Sequence, residues 1–326
     1  MKKRIIFFGA FIFLIGGLIG YFVATFNAPI GNASLEFHSG GYKYINPLYE
    51  CTNSEFSGEK EFGNLQSRIN DLINNYISGN EIVSASVYFR DLNNGPWFGI
   101  NEKANFSPSS LLKLPVLIAY FKEAESDPTI LTRKIKYETD PEGIIDQNYK
   151  PANPLEKGKE YEIQDLVSRM IIESDNVALR ILEENIPNEK IDKVTLDLGI
   201  PTATASTPED YMNVKDYSSL FRVLFNASYL TKDLSEKALN ILTNVEFDRG
   251  LRTQVPKDIQ IAHKFGEREL PGNISQLHDC GIVYYPGHPY LICVMTRGRD
   301  FSYLESVIQN ISGQIYKEVD LRYGKK

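Results

Sequence analysis

The sequence predicts an α/β (α+β) fold in which strands from both ends of one domain form an antiparallel sheet beside a helical middle region. Residues 81–100 and 259–296 are rich in β-branched and aromatic residues and contain turn signals. Between about 128 and 245 the character is helical with loops. The chain is long enough for one large core or two closely packed subdomains. We expect a functional site in the cleft between the sheet and the helical region.

Each predicted element has a local reason. Apolar residues of 62–77 recur at helical spacing, and residues 81–90 alternate along a strand. The Asn93-Asn94-Gly95 sequence is a hairpin turn signal leading to a return strand. Thr207 and Pro208 are typical of a helix start. The other expected elements are helices over 161–172, 177–184, 211–225, 234–242 and 302–319, and strands over 97–100, 259–265, 279–285 and 290–296.

The N-terminus predicts a membrane anchor. Residues 1–4 are basic after the first methionine, and residues 5–26 lack charge and would span roughly 33 Å as a helix. We expect a single-pass transmembrane helix at 1–26 in the cell membrane, with the remainder outside the cytoplasm. The alternative is a signal peptide cleaved near Ala33, which would release a secreted protein. Residues 27–60 are predicted to be a linker with a short packed piece around 44–48. The catalytic domain would be 61–326, with its helical subdomain at about 112–245.

Composition limits the partners. The net charge of −7 and the pI near 5.3 argue against a nucleic-acid-binding surface. The cysteines and histidines do not have metal-ligand spacing, so no metal or cofactor is expected. We expect a monomer. Cys280 and Cys293 should lie on the two strands of one hairpin, diagonal to each other, and we interpret them as buried thiols rather than a disulfide; Cys51 lies in the linker.

A candidate nucleophile opens the buried helix. Ser110 precedes the apolar run 111–121, and Lys113 follows it by three residues, a spacing that places two side chains on one helix face. The helix N-terminus would supply unpaired N–H groups for a developing oxyanion. A plain helix cap with a solvated lysine is the alternative, because the same pattern also occurs at Ser57 and Lys60 without an apolar helix behind it.

Two further motifs follow in order. Ser174-Asp175-Asn176 lies in a break between helices, and Lys264-Phe265-Gly266 ends a strand. With Ser110 and Lys113, these motifs and their flanking sequence resemble the penicillin-recognising serine enzymes, most closely the class A β-lactamase family, over roughly 62–320.

The resemblance implies a role for each motif residue. Ser110 would form an acyl-enzyme after Lys113 accepts its proton, and Ser174 would pass a proton to the leaving nitrogen. Substrate binding would involve Asn176, Lys264 and Gly266. The oxyanion hole would use the backbone N–H groups of Ser110 and Glu267. The expected ligand is a small-molecule β-lactam or a peptidoglycan stem peptide ending like D-Ala-D-Ala.

Three departures from the family pattern concern turnover and specificity. The glutamate that activates the deacylating water is missing between the second and third motifs, and we interpret Glu209 as a helix-capping residue. Phe265 stands where a threonine hydroxyl is usual, and the Glu267 carboxylate would repel an anionic substrate. The sequence therefore predicts a membrane-anchored serine hydrolase with slow β-lactam turnover, similar to a D,D-peptidase. The alternative is a catalytically weak, membrane-tethered binder of cell-wall peptide.

Overall fold

The computed structural model describes residues 36–38, 40–51, 59–93, 95–204 and 206–324. The predicted anchor at 1–26 and the cleavage site near Ala33 lie outside these ranges. Within them, no helix combines the length and the apolar character needed to cross a lipid bilayer.

A five-stranded antiparallel sheet forms the centre of the fold. Its strands are β3 (Ile82–Asp91), β4 (Trp97–Ile100), β7 (Ile261–Leu270), β8 (Ile274–Val283) and β9 (Tyr290–Gly298). Their spatial order is β4-β3-β9-β8-β7, so an early and a late strand of the chain pair directly through β3 and β9. The predicted single antiparallel sheet is therefore confirmed. Because β7 is an edge strand, it can border a cleft.

Two terminal helices cover one face of the sheet. They are α1 (Glu59–Ser78) and α8 (Phe301–Tyr323). Phe62, Leu65 and Ile69 of α1 recur every three or four residues and are fully buried, as an amphipathic stripe requires. They share a core with the apolar side of α8 and with one face of the strands.

The opposite face carries the helical subdomain, which has its own core. Its helices are α2 (Lys113–Ala124), α3 (Ile163–Ile172), α4 (Asn176–Glu184), α5 (Asn188–Asp197), α6 (Val214–Phe225) and α7 (Lys232–Leu242). Helix α2 is buried on all sides over residues 113–121, so its apolar run has no solvent-facing stripe. Short 3-10 helices occur at Ser109–Leu112 and Pro128–Thr132.

Several predicted boundaries were wrong. The helix expected to start at Thr207 begins at Val214, with the Asn213 side chain accepting from the Asp216 N–H as its cap. Strands β7 and β8 extend beyond the predicted ends because residues 271–273 form a turn between them. Helix α5 and the two-stranded sheet of β5 (Lys134–Lys136) and β6 (Glu160–Glu162) were not predicted.

The cysteine interpretation was also wrong. Cys280 on β8 lies directly opposite Cys293 on β9 in the sheet register. The two residues form a disulfide and are fully buried. A diagonal placement would have kept the sulfurs apart, whereas direct cross-strand pairing brings the Cβ atoms close enough for the two Sγ atoms to bond.

The predicted linker contains ordered structure. Strands β1 (Glu36–His38) and β2 (Leu48–Cys51) pair antiparallel. Between them, Tyr44 and Ile45 are buried against the helical subdomain. The Glu236 carboxylate of α7 accepts hydrogen bonds from the N–H groups of residues 43–45 at 2.9–3.1 Å. The packed piece expected around 44–48 is therefore present, and α7 holds it.

Candidate active site

Ser110 lies in the 3-10 turn that leads into α2. The turn spans Ser109–Leu112, and α2 continues it from Lys113. Ser109 has a φ of +49°, a left-handed conformation that a non-glycine residue adopts at a cost. Ser110 remains partly exposed, whereas Lys113 is fully buried. The turn therefore presents the hydroxyl to solvent and the amine to the interior.

The loop before Ser110 is fixed by the sheet. Ser107 N–H donates to Gln276 Oε1 at 3.0 Å, and the Ser107 carbonyl oxygen lies 3.0 Å from His278 Nε2. Thr296 N–H donates to His278 Nδ1 at 3.3 Å. Burial lowers the pKa of His278 to about 4, so the ring is neutral and Nε2 donates to the Ser107 carbonyl. These contacts fix the backbone that carries Ser110.

Lys113 connects the first two motifs. Its Nζ lies 3.0 Å from Ser110 Oγ, 3.0 Å from Ser174 Oγ and 2.7 Å from Asn176 Oδ1. It also donates to the Ser174 carbonyl oxygen. Burial lowers the pKa of Lys113 to about 7, and the carboxylates of Asp175 and Glu267 partly oppose this effect. A neutral amine is therefore well populated at physiological pH and can accept the Ser110 proton.

Ser174 lies between two amines. Lys264 Nζ donates to Ser174 Oγ at 2.9 Å and to the Phe265 carbonyl oxygen at 2.9 Å. Burial and the neighbouring Lys113 lower the pKa of Lys264 well below its ordinary value. Because Ser174 Oγ accepts from the lysines, its own hydrogen is free to be donated. The Asp175 side chain caps α4 by accepting from two backbone N–H groups, which fixes the motif.

Gly266 allows β7 to approach the nucleophile turn closely. A Cβ at this position would lie 3.0 Å from Leu111 Cγ, 3.1 Å from the Pro108 carbonyl oxygen and 3.2 Å from Leu111 N. The glycine therefore serves strand-to-turn packing. This close approach brings the next residue, Glu267, to the cavity that Ser110 also lines.

The cavity has a volume of about 360 Å³ and lies between the helical subdomain and β7. Ser110, Asn176 and Glu267 line it, whereas Lys113, Ser174 and Lys264 do not. All three of the latter are fully buried. Ser110 thus faces the cavity, and Lys113, Ser174 and Lys264 lie behind it.

Glu209 was wrongly interpreted as a helix cap. It lies before α6, lines the cavity, and accepts a hydrogen bond from Ser107 Oγ at 3.1 Å. Arg268 Nε pairs with its carboxylate at 2.9 Å. Another lining carboxylate, Glu183, pairs with Arg180 at 2.8 Å. Both carboxylates are therefore paired with arginines.

Phe265 faces away from the cavity. Its ring stacks on Phe247 with centroids 4.2 Å apart and contacts the edge of Tyr149 at 5.7 Å. The ring also lies 4.2 Å from Lys264 Nζ. The carboxylate-binding hydroxyl expected from the family pattern is therefore replaced by an aromatic cluster that helps bury Lys264. Glu267 does not extend freely into the cavity either, because its carboxylate accepts the N–H groups of Asn148 and Tyr149.

Comparison with known proteins identifies the family. A sequence profile described as the beta-lactamase enzyme family matches residues 64–319. The chain belongs to this family. No curated protein matches the chain at the level of sequence.

Solved structures share the β-lactamase fold. PBP-A matches with a TM-score of 0.66 and 20% identity over 79% of this chain and 96% of its own. A leucine-to-glutamate variant of PBP-A, solved as an acyl-enzyme complex with penicillin G, matches with a TM-score of 0.66 and 20% identity over 79% and 97%. A β-lactamase from Chitinophaga pinensis DSM 2588 matches with a TM-score of 0.67 and 18% identity over 77% and 99%. At these low identities, the TM-scores of 0.66–0.67 show a common fold.

The structure brings the predicted site residues of this β-lactamase family member together. Ser110, Lys113, Ser174, Asn176 and Lys264 form one hydrogen-bonded group. Sequence reasoning missed the supporting residues Gln147, Gln276 and His278, which contact the motifs from distant positions and have no local signature. Among the described residues, no group of His, Cys, Asp or Glu could hold a metal ion.

Proposed function

We propose that the chain is a serine hydrolase that forms a slowly released acyl-enzyme on Ser110 with a β-lactam or a D-Ala-D-Ala-like amide. The observation that carries this proposal is the 3.0 Å contact between Lys113 Nζ and Ser110 Oγ. The pKa of about 7 makes this lysine a base at neutral pH. Membership of the β-lactamase family supports the reaction class, and the ligand named with the PBP-A variant supports a β-lactam as the probe.

In the proposed acylation, the Ser110 proton ends on the leaving nitrogen. Neutral Lys113 accepts the Ser110 proton while Oγ bonds to the carbonyl carbon. The backbone N–H groups of Ser110 and Glu267 stabilise the oxyanion. As the carbon–nitrogen bond breaks, Ser174 donates its proton to the leaving nitrogen and regains one from Lys113. In deacylation, water adds to the ester carbonyl carbon, the bond from this carbon to Ser110 Oγ breaks, one water proton passes to Oγ, and the carboxylic acid product leaves.

We propose slow release of the acyl group because the carboxylates that line the cavity already have ion-pair or hydrogen-bond partners. Glu183 and Glu209 pair with arginines, and Glu267 is bound to backbone N–H groups. Asp146 accepts from Gln147 N–H at 3.0 Å and is exposed. Each of these carboxylates would have to give up such a contact before it could position a water molecule against the acyl-enzyme.

The test is labelling with a fluorescent penicillin, followed by intact mass over time. We expect a stable adduct on the wild-type protein and none on Ser110→Ala. Lys113→Ala should also abolish labelling, whereas Lys122→Ala, on the same helix but with a side chain that is 39% exposed, should label normally. Rapid loss of the adduct would contradict slow release, and labelling of Lys113→Ala would remove Lys113 from its proposed role.

A second candidate function is binding of cell-wall peptide without efficient catalysis. The burial of Lys264 beneath Phe265 favours it, because the amine does not line the cavity and cannot meet a ligand carboxylate there. Binding of peptidoglycan by the wild type and by Ser110→Ala would then be equal, with no adduct on either protein.

The proposal includes attachment to the cell membrane through residues 5–26, with the catalytic domain outside the cytoplasm. The uncharged N-terminal run and its basic flank support this location. The Cys280–Cys293 disulfide also supports it, since disulfides persist in oxidising compartments. Loss of the protein from the membrane fraction on deletion of residues 1–26 is expected, and retention would contradict the anchor.

A further inference from the structure

Residues 143–150 form a segment, here called the strap, that is attached to the helical wall of the cavity. Asn176 Nδ2 donates to the Ile145 carbonyl oxygen at 2.7 Å. Gln147 Nε2 donates to the Ser174 carbonyl oxygen at 2.8 Å, and Asn176 N–H donates to Gln147 Oε1 at 3.3 Å. The strap therefore uses the side-chain amide donor of Asn176 that substrate binding was expected to use.

The same strap is attached to the strand wall. The Glu267 carboxylate of β7 accepts from Asn148 N–H at 3.1 Å and from Tyr149 N–H at 3.0 Å. The Tyr149 ring packs edge-on against Phe265 and Phe247, with centroids 5.7 and 5.0 Å apart. The strap thus runs from one wall of the cleft to the other, and Glu267 provides a charged attachment at the strand side.

This arrangement has a consequence for ligand access. Lys264 is fully buried, and neither it nor Ser174 lines the cavity in this closed arrangement. A ligand that pairs with β7 or reaches Lys264 must displace the strap from Glu267. Ile144 and Ile145 of the strap are 39% and 52% exposed, so the middle of the strap has little apolar burial. At the strand end the Tyr149 ring is packed among aromatic side chains, and its hydroxyl donates to Glu305 Oε1 at 2.6 Å. The rest of the attachment depends on the polar contacts of the strap with Asn176, Ser174 and Glu267.

We infer that the strap is a gate over the strand side of the cleft and that the Glu267 carboxylate is its latch, so that opening of the strap limits ligand access to β7 and Lys264 and thereby the rate at which a carboxylate-bearing ligand acylates Ser110. The claim that the strap limits ligand access rests on the proposed acylation of Ser110. The claim that the Glu267 carboxylate holds the strap does not. Glu267 would then be a specificity-determining residue, because its carboxylate lines the cavity and would repel a ligand carboxylate that approaches β7.

The experiment compares the full-length protein in detergent with Glu267→Ala and Glu267→Gln. Hydrogen exchange is measured on peptides covering 145–150, and the second-order rate of Ser110 labelling is measured with a fluorescent penicillin. The control is Glu269→Ala, which removes the same charge from the same strand but only a 3.3 Å contact with the Asn148 side chain. Glu269 lies outside the cavity lining.

We expect Glu267→Ala to raise exchange of the Asn148 and Tyr149 amides and the labelling rate by about tenfold each, since two hydrogen bonds to a charged acceptor are lost. The exchange and labelling rates of Glu267→Gln should lie between those of Glu267→Ala and the wild type, because the amide oxygen of glutamine can still accept a hydrogen bond. Glu269→Ala should match the wild type in both measurements.

Unchanged exchange in Glu267→Ala would overturn the latch, whatever the labelling shows. Faster exchange without faster labelling would overturn the gate. If none of the proteins labels while exchange still rises in Glu267→Ala, the proposed acylation and the gate fail and the latch stands. If exchange and labelling increase as much in Glu269→Ala as in Glu267→Ala, the effect is due to the loss of charge alone, and the latch is overturned.

Discussion

The pKa of Lys113 makes a specific prediction about the pH dependence of acylation. Burial lowers this pKa from 10.5 to about 7, a difference equivalent to about 5 kcal/mol between the two protonation states. At pH 7 roughly half of the lysine is neutral, compared with about 0.03% for an unperturbed lysine. If neutral Lys113 is the base, the Ser110 labelling rate should rise about tenfold between pH 6 and pH 8 and then level off.

The assay is the second-order labelling rate with a fluorescent penicillin from pH 5 to pH 9.5 at constant ionic strength. The apparent pKa belongs to the coupled pair, because Lys264 Nζ shares Ser174 Oγ with Lys113. A rate that is flat with pH, or that falls as pH rises through 7, would refute the assignment of Lys113 as the base. Lys122→Ala is the control: unchanged labelling of this variant would show that replacing a lysine on the same helix does not by itself slow the reaction.

The same pKa predicts how stability depends on pH. The folded pKa lies below the unfolded value, so the unfolded chain binds more protons between about pH 7 and pH 10.5, and stability should rise with pH in that window. From pH 7 to pH 9 the contribution of Lys113 is about 2 kcal/mol. Urea unfolding at both pH values should show this rise in the wild type and a smaller one in Lys113→Met. Equal rises would contradict the calculation.

Three further predictions concern packing and attachment. Replacing Cys280 and Cys293 by alanine should lower the free energy of unfolding by about 3 kcal/mol, because the disulfide closes a loop with a sequence separation of 13; a melting temperature equal to that of the oxidised wild type would contradict this. Gly266→Ala should cost about 1–3 kcal/mol by urea unfolding and slow Ser110 labelling, since its Cβ would meet backbone atoms of the nucleophile turn; normal stability would contradict the close packing. Glu236→Ala should expose residues 43–45 to limited proteolysis while labelling stays normal, because their N–H groups lose their acceptor; unchanged cleavage would show that Tyr44 burial alone holds the segment.

Much of the fold followed from local patterns. The helical spacing of 62–77 and the alternation of 81–90 predicted α1 and β3 because each element buries one face. The candidate site followed from three motifs in which each residue type has a specific chemistry. Ser110 and Lys113 are one helical turn apart, so their 3.0 Å contact is a short-range feature that sequence spacing can predict.

The features that were missed depend on contacts between distant residues. The turn at 271–273 sets the register of β7 on β8, and this turn was not recognised, so the strand bounds were wrong. The pairing of Cys280 with Cys293 depends on the β8–β9 register. Glu267 binds residues 148 and 149, more than a hundred positions earlier, and no local pattern reports that partner.

Residues 43–45, which the Glu236 carboxylate holds against α7, also limit how far the cavity can lie from a lipid surface. In the proposed anchored protein, residues 36–38 are paired in β1, so the chain that can extend between the span and this paired strand is residues 27–35, which reaches at most about 30 Å. Because the Glu236 carboxylate fixes the segment that follows this strand to α7, the catalytic domain could sample only a thin layer beside the bilayer. Polymer or antibiotic in that layer would be accessible, whereas material farther out would have to diffuse to the membrane.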